Sequence, residues 1–237
     1  MNSKLSKLLK DFISLFYPEI CITCGEGLAE KEEFICTSCF YKLPKTDYHN
    51  NPDNLLYKAF YGRVEVLAAA AYCYYTKGSS VQDLVHEIKY KGKQDLGICF
   101  GKWYGLELKK NPHFSEIDFI VPVPLHPKKL KRRGYNQSAC FAEGLSEAMN
   151  IPVLPNALIR LKDTETQTNK SRFSRWENVK DVFVAENKEQ LRNKRILIVD
   201  DIITTGATME ACIHGLNQIP VASVSVASIG YVTDELT

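Results

Sequence analysis

The chain has 237 residues, of which 45% are apolar and 24% charged, with a formal charge of only +2. These values exclude a disordered or collagen-like chain and a polycation, so any polyanion must be held by a local basic patch. The longest apolar run, 66–75, is about half of what a membrane-spanning helix needs, which predicts no transmembrane segment.

Leu5, Leu8, Leu9, Phe12 and Phe16 share one helical face, with lysines between them and no small-residue cleavage site. This predicts a helix docked on its own domain or touching a membrane surface, not a secretory signal. Eight cysteines in this length are too sparse for a disulfide scaffold, so a reducing cytoplasm is expected. Four of them form two Cys-x-x-Cys turns, Cys21 with Cys24 and Cys36 with Cys39, separated by eleven residues. Each turn can present two sulfurs to one ion, and Gly25 eases the first, which is the zinc-ribbon pattern. Four thiolates leave no open coordination position, so the zinc is expected to be structural. A pair of redox disulfides is the alternative reading. Cys73, Cys99, Cys140 and Cys212 are expected as small buried hydrophobes.

Residues 43–54, with Pro44, His49, Asn50, Asn51 and Pro52, have the composition of a linker. They divide an N-terminal segment, 1–55, from a larger domain, 56–237. A strand is predicted over 64–76 and a helix over 79–90, with Val81, Leu84, Val85 and Ile88 on its face. A second helix, 96–108, stops at Asn111 and Pro112. Phe119, Ile120 and Val121 form a buried strand that opens at Pro122, Pro124 and Pro127 into a stiff loop. Phe141, Leu145, Ala148 and Met149 mark a helix beginning near Asn136, and 153–159 resumes extended structure. That strand, helix, strand order predicts a parallel sheet. Residues 160–180 are polar and aperiodic, long for a connection inside a domain. A strand at 195–199, a helix carrying Met209, Cys212, Ile213 and Leu216, and a strand at 221–229 complete an α/β fold, a parallel sheet flanked by helices.

The aliphatic strand at 195–199 runs into Asp200 and Asp201, and then Thr204, Thr205, Gly206, Ala207 and Thr208 stand at the mouth of a helix. Small residues let the backbone curl so that several N–H groups face one point, a cradle for phosphate. Paired carboxylates would repel a bare phosphate chain but suit hydroxyl groups or a bridging divalent cation. A sugar phosphate satisfies both demands. A phospho-receiver domain carries its acidic pair near its first strand, and a P-loop needs a Gly-Lys-Ser/Thr that the chain lacks. An acidic helix cap alone leaves the threonine-rich run unexplained. Lys128, Lys129, Lys131, Arg132 and Arg133 would by themselves be a solvated face. They follow a strand expected beside the acidic one, however, at the carboxyl edge where open α/β sheets bind ligands.

The string 196–208 resembles the phosphoribosyl pyrophosphate signature of type I phosphoribosyltransferases. Pro122, Val123 and Pro124, the run from Arg132 to Gln137, and then Arg160, Gln167, Arg172, Arg175, Trp176, Glu177, Asn178 and Phe183 narrow the match. That set is similar to the competence protein ComF family, whose members join an N-terminal zinc segment to a phosphoribosyltransferase-like domain. The resemblance runs from about residue 17 to the C-terminus. It implies that phosphoribosyl pyrophosphate binds with magnesium, that Asp200 and Asp201 fix the ribose, and that Thr204, Thr205, Gly206, Ala207 and Thr208 grip its 5-phosphate. The backbone at Val123, Pro124 and Leu125 would hold the pyrophosphate, helped by Lys128, Arg132 or Arg133. A loop with Gln167, Asn169, Arg172 and Arg175 would close over the ligand; an exposed hairpin is its alternative reading. Residues 64–110 and the C-terminal residues would supply a hood for the acceptor. Two functions follow from the resemblance: transfer of the phosphoribosyl group to a nucleobase or amine in nucleotide metabolism, or a non-catalytic module acting in uptake of single-stranded DNA. The second would take DNA on the basic run, with a DNA-uptake helicase as partner, in the cytoplasm at the periphery of the inner membrane.

Overall fold

The aliphatic run that the sequence places beside the acids lies at the centre of the domain. In the computed structural model, which describes residues 18–160, 182–217 and 219–233, the strands are β1 (Ala68–Tyr74), β2 (Phe119–Pro122), β3 (Leu158–Arg160), β4 (Phe183–Ala185), β5 (Arg195–Ile203) and β6 (Ser223–Tyr231). The expected N-terminal helix and the residues Gln167, Asn169, Arg172 and Arg175 lie outside the described residues. Strands β1, β6, β5 and β2 lie side by side in that order, all parallel, with Pro122 opposite Val199 and Asp200 opposite Ser228. Ile196, Leu197, Ile198 and Val199 are fully buried, as a strand covered on both faces requires.

The helices are α1 (Thr37–Tyr41), α2 (Leu55–Lys58), α3 (Ser80–Tyr90), α4 (Gln94–Leu108), α5 (Pro112–Ser115), α6 (Pro127–Arg133), α7 (Gln137–Met149), α8 (Lys188–Leu191) and α9 (Ala207–Leu216). The apolar face predicted for α3 is buried at Val81, Leu84, Val85 and Ile88. Helices α4 and α7 pack backbone to backbone: a Cβ on Gly144 would lie 1.9 Å from the Ile98 carbonyl oxygen, and one on Gly101 would lie 2.3 Å from that of Phe141. Gly144→Ala must therefore push two helices apart. We expect a loss of ~3 kcal/mol, read as a melting temperature lower by roughly 6–12 °C.

Four expectations are corrected. Residues 43–54 are no linker: Leu43, Tyr48, His49 and Asn54 are buried, and Lys45 bridges antiparallel to Cys73 on the free edge of β1. The Tyr74 N–H donates to the Pro44 carbonyl at 2.8 Å, so this stretch covers an edge that would otherwise invite pairing with another chain. The extended stretch after α7 joins the sheet at the bridge between Val153 and Ile120, and β3 then pairs antiparallel with β4 in a separate sheet. The loop after β2 is largely helical: Pro127 opens α6, His126 Nδ1 accepts the Lys128 N–H, and Gly134 at φ 81° closes it. Of the four scattered cysteines, Cys73, Cys140 and Cys212 are buried, but Cys99 is half-buried with its thiol 3.6 Å from the Glu33 carboxylate.

Candidate functional site

Strand β5 continues past the aliphatic run, so that Asp200 and Asp201 lie inside the strand near its carboxyl end. Asp200 Oδ1 accepts the Ser138 hydroxyl at 2.6 Å and the Asp201 N–H at 2.8 Å. Asp201 is buried; its Oδ1 accepts the Ile202 N–H at 2.9 Å, and its Oδ2 is ion-paired with Lys89 Nζ at 2.7 Å. Burial, and then the adjacent charge of Asp201, push the Asp200 carboxyl up to about 8, against the hydrogen bonds that favour its charged form.

Three residues on, the chain turns through Thr204 and Thr205, both exposed, to Gly206 at φ 76°, which caps α9. Glycine is required twice here, because the left-handed backbone disfavours a side chain and a Cβ would lie 3.0 Å from the Phe60 ring. Gly206 brings no side chain to cap α9, Thr205 Oγ1 accepts the Ala207 N–H at 3.4 Å, and Ala207 and Thr208 are exposed. The N–H groups of Thr208 and Met209, in the same first turn, have no intrahelical acceptor. The sequence reading missed Arg63. Its guanidinium donates to the Thr205 carbonyl at 2.7 Å and the Ala59 carbonyl at 3.0 Å, and is ion-paired with Glu210, clamping the cradle to the segment after α2. No local motif announces this contact, since Arg63 and Thr205 are 142 residues apart.

The second loop lies at the same edge, because Pro122 is in register with Val199. The Val123 N–H donates to the Val199 carbonyl at 2.9 Å, and the Val123 carbonyl accepts from Asn136 Nδ2 at 2.9 Å. Both polar groups of Val123 are therefore used in holding the loop, and Pro124 has no N–H, which leaves Leu125 as the backbone donor among the three residues expected to hold pyrophosphate. Among the expected cations, Lys128 and Arg132 are exposed. Arg133 is half-buried, donates to Gln137 Oε1 at 2.8 Å and lies 5.2 Å from the centre of the Tyr90 ring. Tyr135 donates its hydroxyl to the Ile88 carbonyl, so the stretch from Arg133 to Asn136 ties the basic helix to α3 and to the β2 loop together.

The four cysteines converge, with all sulfurs within 4.8 Å of one another and those of Cys24 and Cys36 3.8 Å apart. Tetrahedral thiolates about 2.3 Å from zinc would be roughly 3.8 Å apart, so the set fits that ion. Burial works against the Cys21 thiolate, but N–H groups from Cys36, Cys24 and Thr23 outweigh it and lower the thiol to about 6. Burial and the other three sulfurs push Cys39 up to about 12. Four thiolates at this spacing repel one another unless a cation lies between them.

Residues 136–232 match the phosphoribosyl transferase domain family. Competence protein F of Haemophilus influenzae is 38% identical over 121 residues, 51% of this chain and 53% of that protein. Competence protein ComFC of Streptococcus pneumoniae is 31% identical over 135 residues, 57% of this chain and 56% of its own length. DNA utilization protein YhgH of Escherichia coli is 28% identical over 211 residues, 87% of this chain and 88% of that protein. The chain thus spans about half the length of the two competence proteins it matches. No helix among the described residues is long and apolar enough to cross a membrane. A phosphoribosyltransferase-type parallel sheet behind a four-cysteine segment, together with these relatives, supports the ComF family for this chain.

Proposed function

We propose that this protein binds phosphoribosyl pyrophosphate with magnesium and transfers the phosphoribosyl group to a nucleobase or amine. The observation that carries the reading is the meeting, at one sheet edge, of an acidic pair, a glycine-turned helix N-terminus and a proline loop beside a cationic helix. The acidic pair suits the ring hydroxyls, and the N–H groups around Gly206 suit the 5-phosphate. Arg133 and the Leu125 N–H suit the leaving pyrophosphate. The bond from the anomeric carbon to the pyrophosphate oxygen breaks with its electron pair leaving on pyrophosphate, and an acceptor lone pair forms the new bond. Magnesium, carried by the ligand's own oxygens, would neutralise the leaving group. Cys21, Cys24, Cys36 and Cys39 would hold zinc as a structural ion.

The relatives' names, competence and DNA utilization proteins, favour a role in DNA uptake, and in this second reading the site would bind the sugar diphosphate without turnover in a cytoplasmic protein. Calorimetry with phosphoribosyl pyrophosphate and magnesium, followed by a pyrophosphate-release assay over a panel of bases and amines, separates the two. Heat with turnover supports the transferase and heat without turnover the binding module. No heat overturns both.

A further inference from the structure

Helix α4 is apolar on two faces. Phe100, Tyr104 and Leu108 are fully buried, whereas Ile98, Cys99, Trp103 and Leu106 recur at helical spacing on the opposite side. A helix that is apolar all round is expected to be covered all round. The cysteine segment covers part of this outer row: Phe40 packs edge-on to Trp103 at 5.0 Å, and the Cys99 thiol meets the Glu33 carboxylate. Beside those contacts a groove of about 700 Å³ stays open, with Ile20, Leu28, Phe34 and Ile98 as its apolar lining. Ile20 is 56% exposed. The rim is acidic, because Glu19, Glu33, Asp95 and Glu147 stand against Lys93 and Lys102, and Lys102 is already ion-paired with Glu147 at 2.8 Å.

Residues 1–17 carry what this groove lacks. Leu5, Leu8, Leu9, Phe12 and Phe16 make one apolar stripe, and Lys4, Lys7 and Lys10 outnumber the single acid of the segment, Asp11. Glu19 and Ile20, on the groove wall, follow that segment after Pro18 alone. A tether this short keeps the stripe at the groove at an effective concentration on the order of millimolar. We propose that the groove is the docking site of the chain's own segment 1–17, which lays its leucines and phenylalanines on Ile20, Leu28, Phe34 and Ile98 and brings its lysines to the acidic rim. The docked segment joins the two walls of the groove and so clasps the cysteine segment to α4. This inference does not depend on the sugar-diphosphate site.

Hydrogen exchange of the full chain, read by mass spectrometry, is the test. Amides of residues 5–16 should exchange at least about tenfold more slowly than the same sequence as a free peptide. Ile98→Asp and Ile20→Asp on the groove wall, and Phe12→Asp on the stripe, should each bring them back to within about threefold of the peptide rate. Phe12→Asp should also speed exchange over 28–34, on the opposite wall. Charge reversal at Lys4, Lys7 and Lys10 should cut the protection, most strongly at low salt. Melts check that each variant is folded, and Ile20→Asp, at a side chain already exposed, decides the matter should Ile98→Asp fail to fold. Residues 5–16 exchanging at the peptide rate in the wild-type chain overturn the inference. So does protection that survives any of the three aspartate substitutions in a folded protein. Protection that rises with protein concentration overturns it in favour of docking between copies, and protection that appears only with phosphatidylglycerol vesicles overturns it in favour of a membrane surface.

Discussion

At pH 9, where its carboxyl is ionised, Asp200→Asn is expected to raise the melting temperature of the ligand-free protein and to weaken phosphoribosyl pyrophosphate binding by about a hundredfold. The substitution is isosteric, and the amide oxygen can still accept from the Ser138 hydroxyl and the Asp201 N–H. What changes is the second atom, which turns from an acceptor of sugar hydroxyls into a donor facing them. A hundredfold loss corresponds to about 2.7 kcal/mol, within the range of a hydrogen bond to a charged group. The stability gain has the opposite origin. Burial and the charge of Asp201 raise the folded-state pKa of Asp200 to about 8, above its unfolded value. A group shifted in that direction supports folding fully below the unfolded pKa and loses that support as pH rises through the folded one. The advantage of asparagine should therefore grow from the ordinary carboxylate range up to about pH 8 and then level off. We expect a difference of at least about 1 kcal/mol at pH 9, or roughly 2–4 °C. Melts from pH 5 to pH 9 check it; a variant less stable by the same amount at every pH would show that Asp200 is ionised throughout and merely structural.

Cys39→Ser should release one equivalent of zinc per chain and open the segment that contains α1. Metal binding of this kind contributes on the order of 10 kcal/mol to folding in isolated zinc modules. Here the segment has a thin core besides the sulfurs: no residue of α1 is fully buried, the buried apolar anchors are Cys21, Ile35 and Leu43, and Phe40 packs edge-on to Trp103. Because the chain passes from this segment directly onto the free edge of β1, loss of the ion should also expose that edge. Metal analysis of wild type and variant, with limited proteolysis across residues 21–46, reads both effects. A wild-type protein that carries no metal and whose mass shows two disulfides would overturn the zinc assignment in favour of redox chemistry.

The acids, the glycine turn and the aliphatic strand were legible because each is a local statement. Four consecutive aliphatic residues demand a strand buried on both faces, and a small residue with positive φ at a helix mouth demands glycine. The cysteine quartet was legible for the same reason, since spacing alone brings two sulfurs to each turn. The linker over 43–54 was misread because its prolines and asparagines are the residues of turns, and turn chemistry does not say whether a turn lies against a sheet edge. The stiff loop after β2 concealed α6 because proline also opens helices.

By itself, then, the sequence determined where a parallel strand ends in carboxylates beside a glycine-turned helix, and which four sulfurs lie together. Only the tertiary structure decided that Arg63 binds the Thr205 carbonyl, that Val123 gives its N–H to the sheet and its carbonyl to Asn136, that Arg133 is the cation tied to α3, and that Lys89 pairs with Asp201. The physical reason is common to all four. Each contact joins residues far apart in the chain, and its partner is fixed by how helices and strands pack, which no local pattern of residue types encodes.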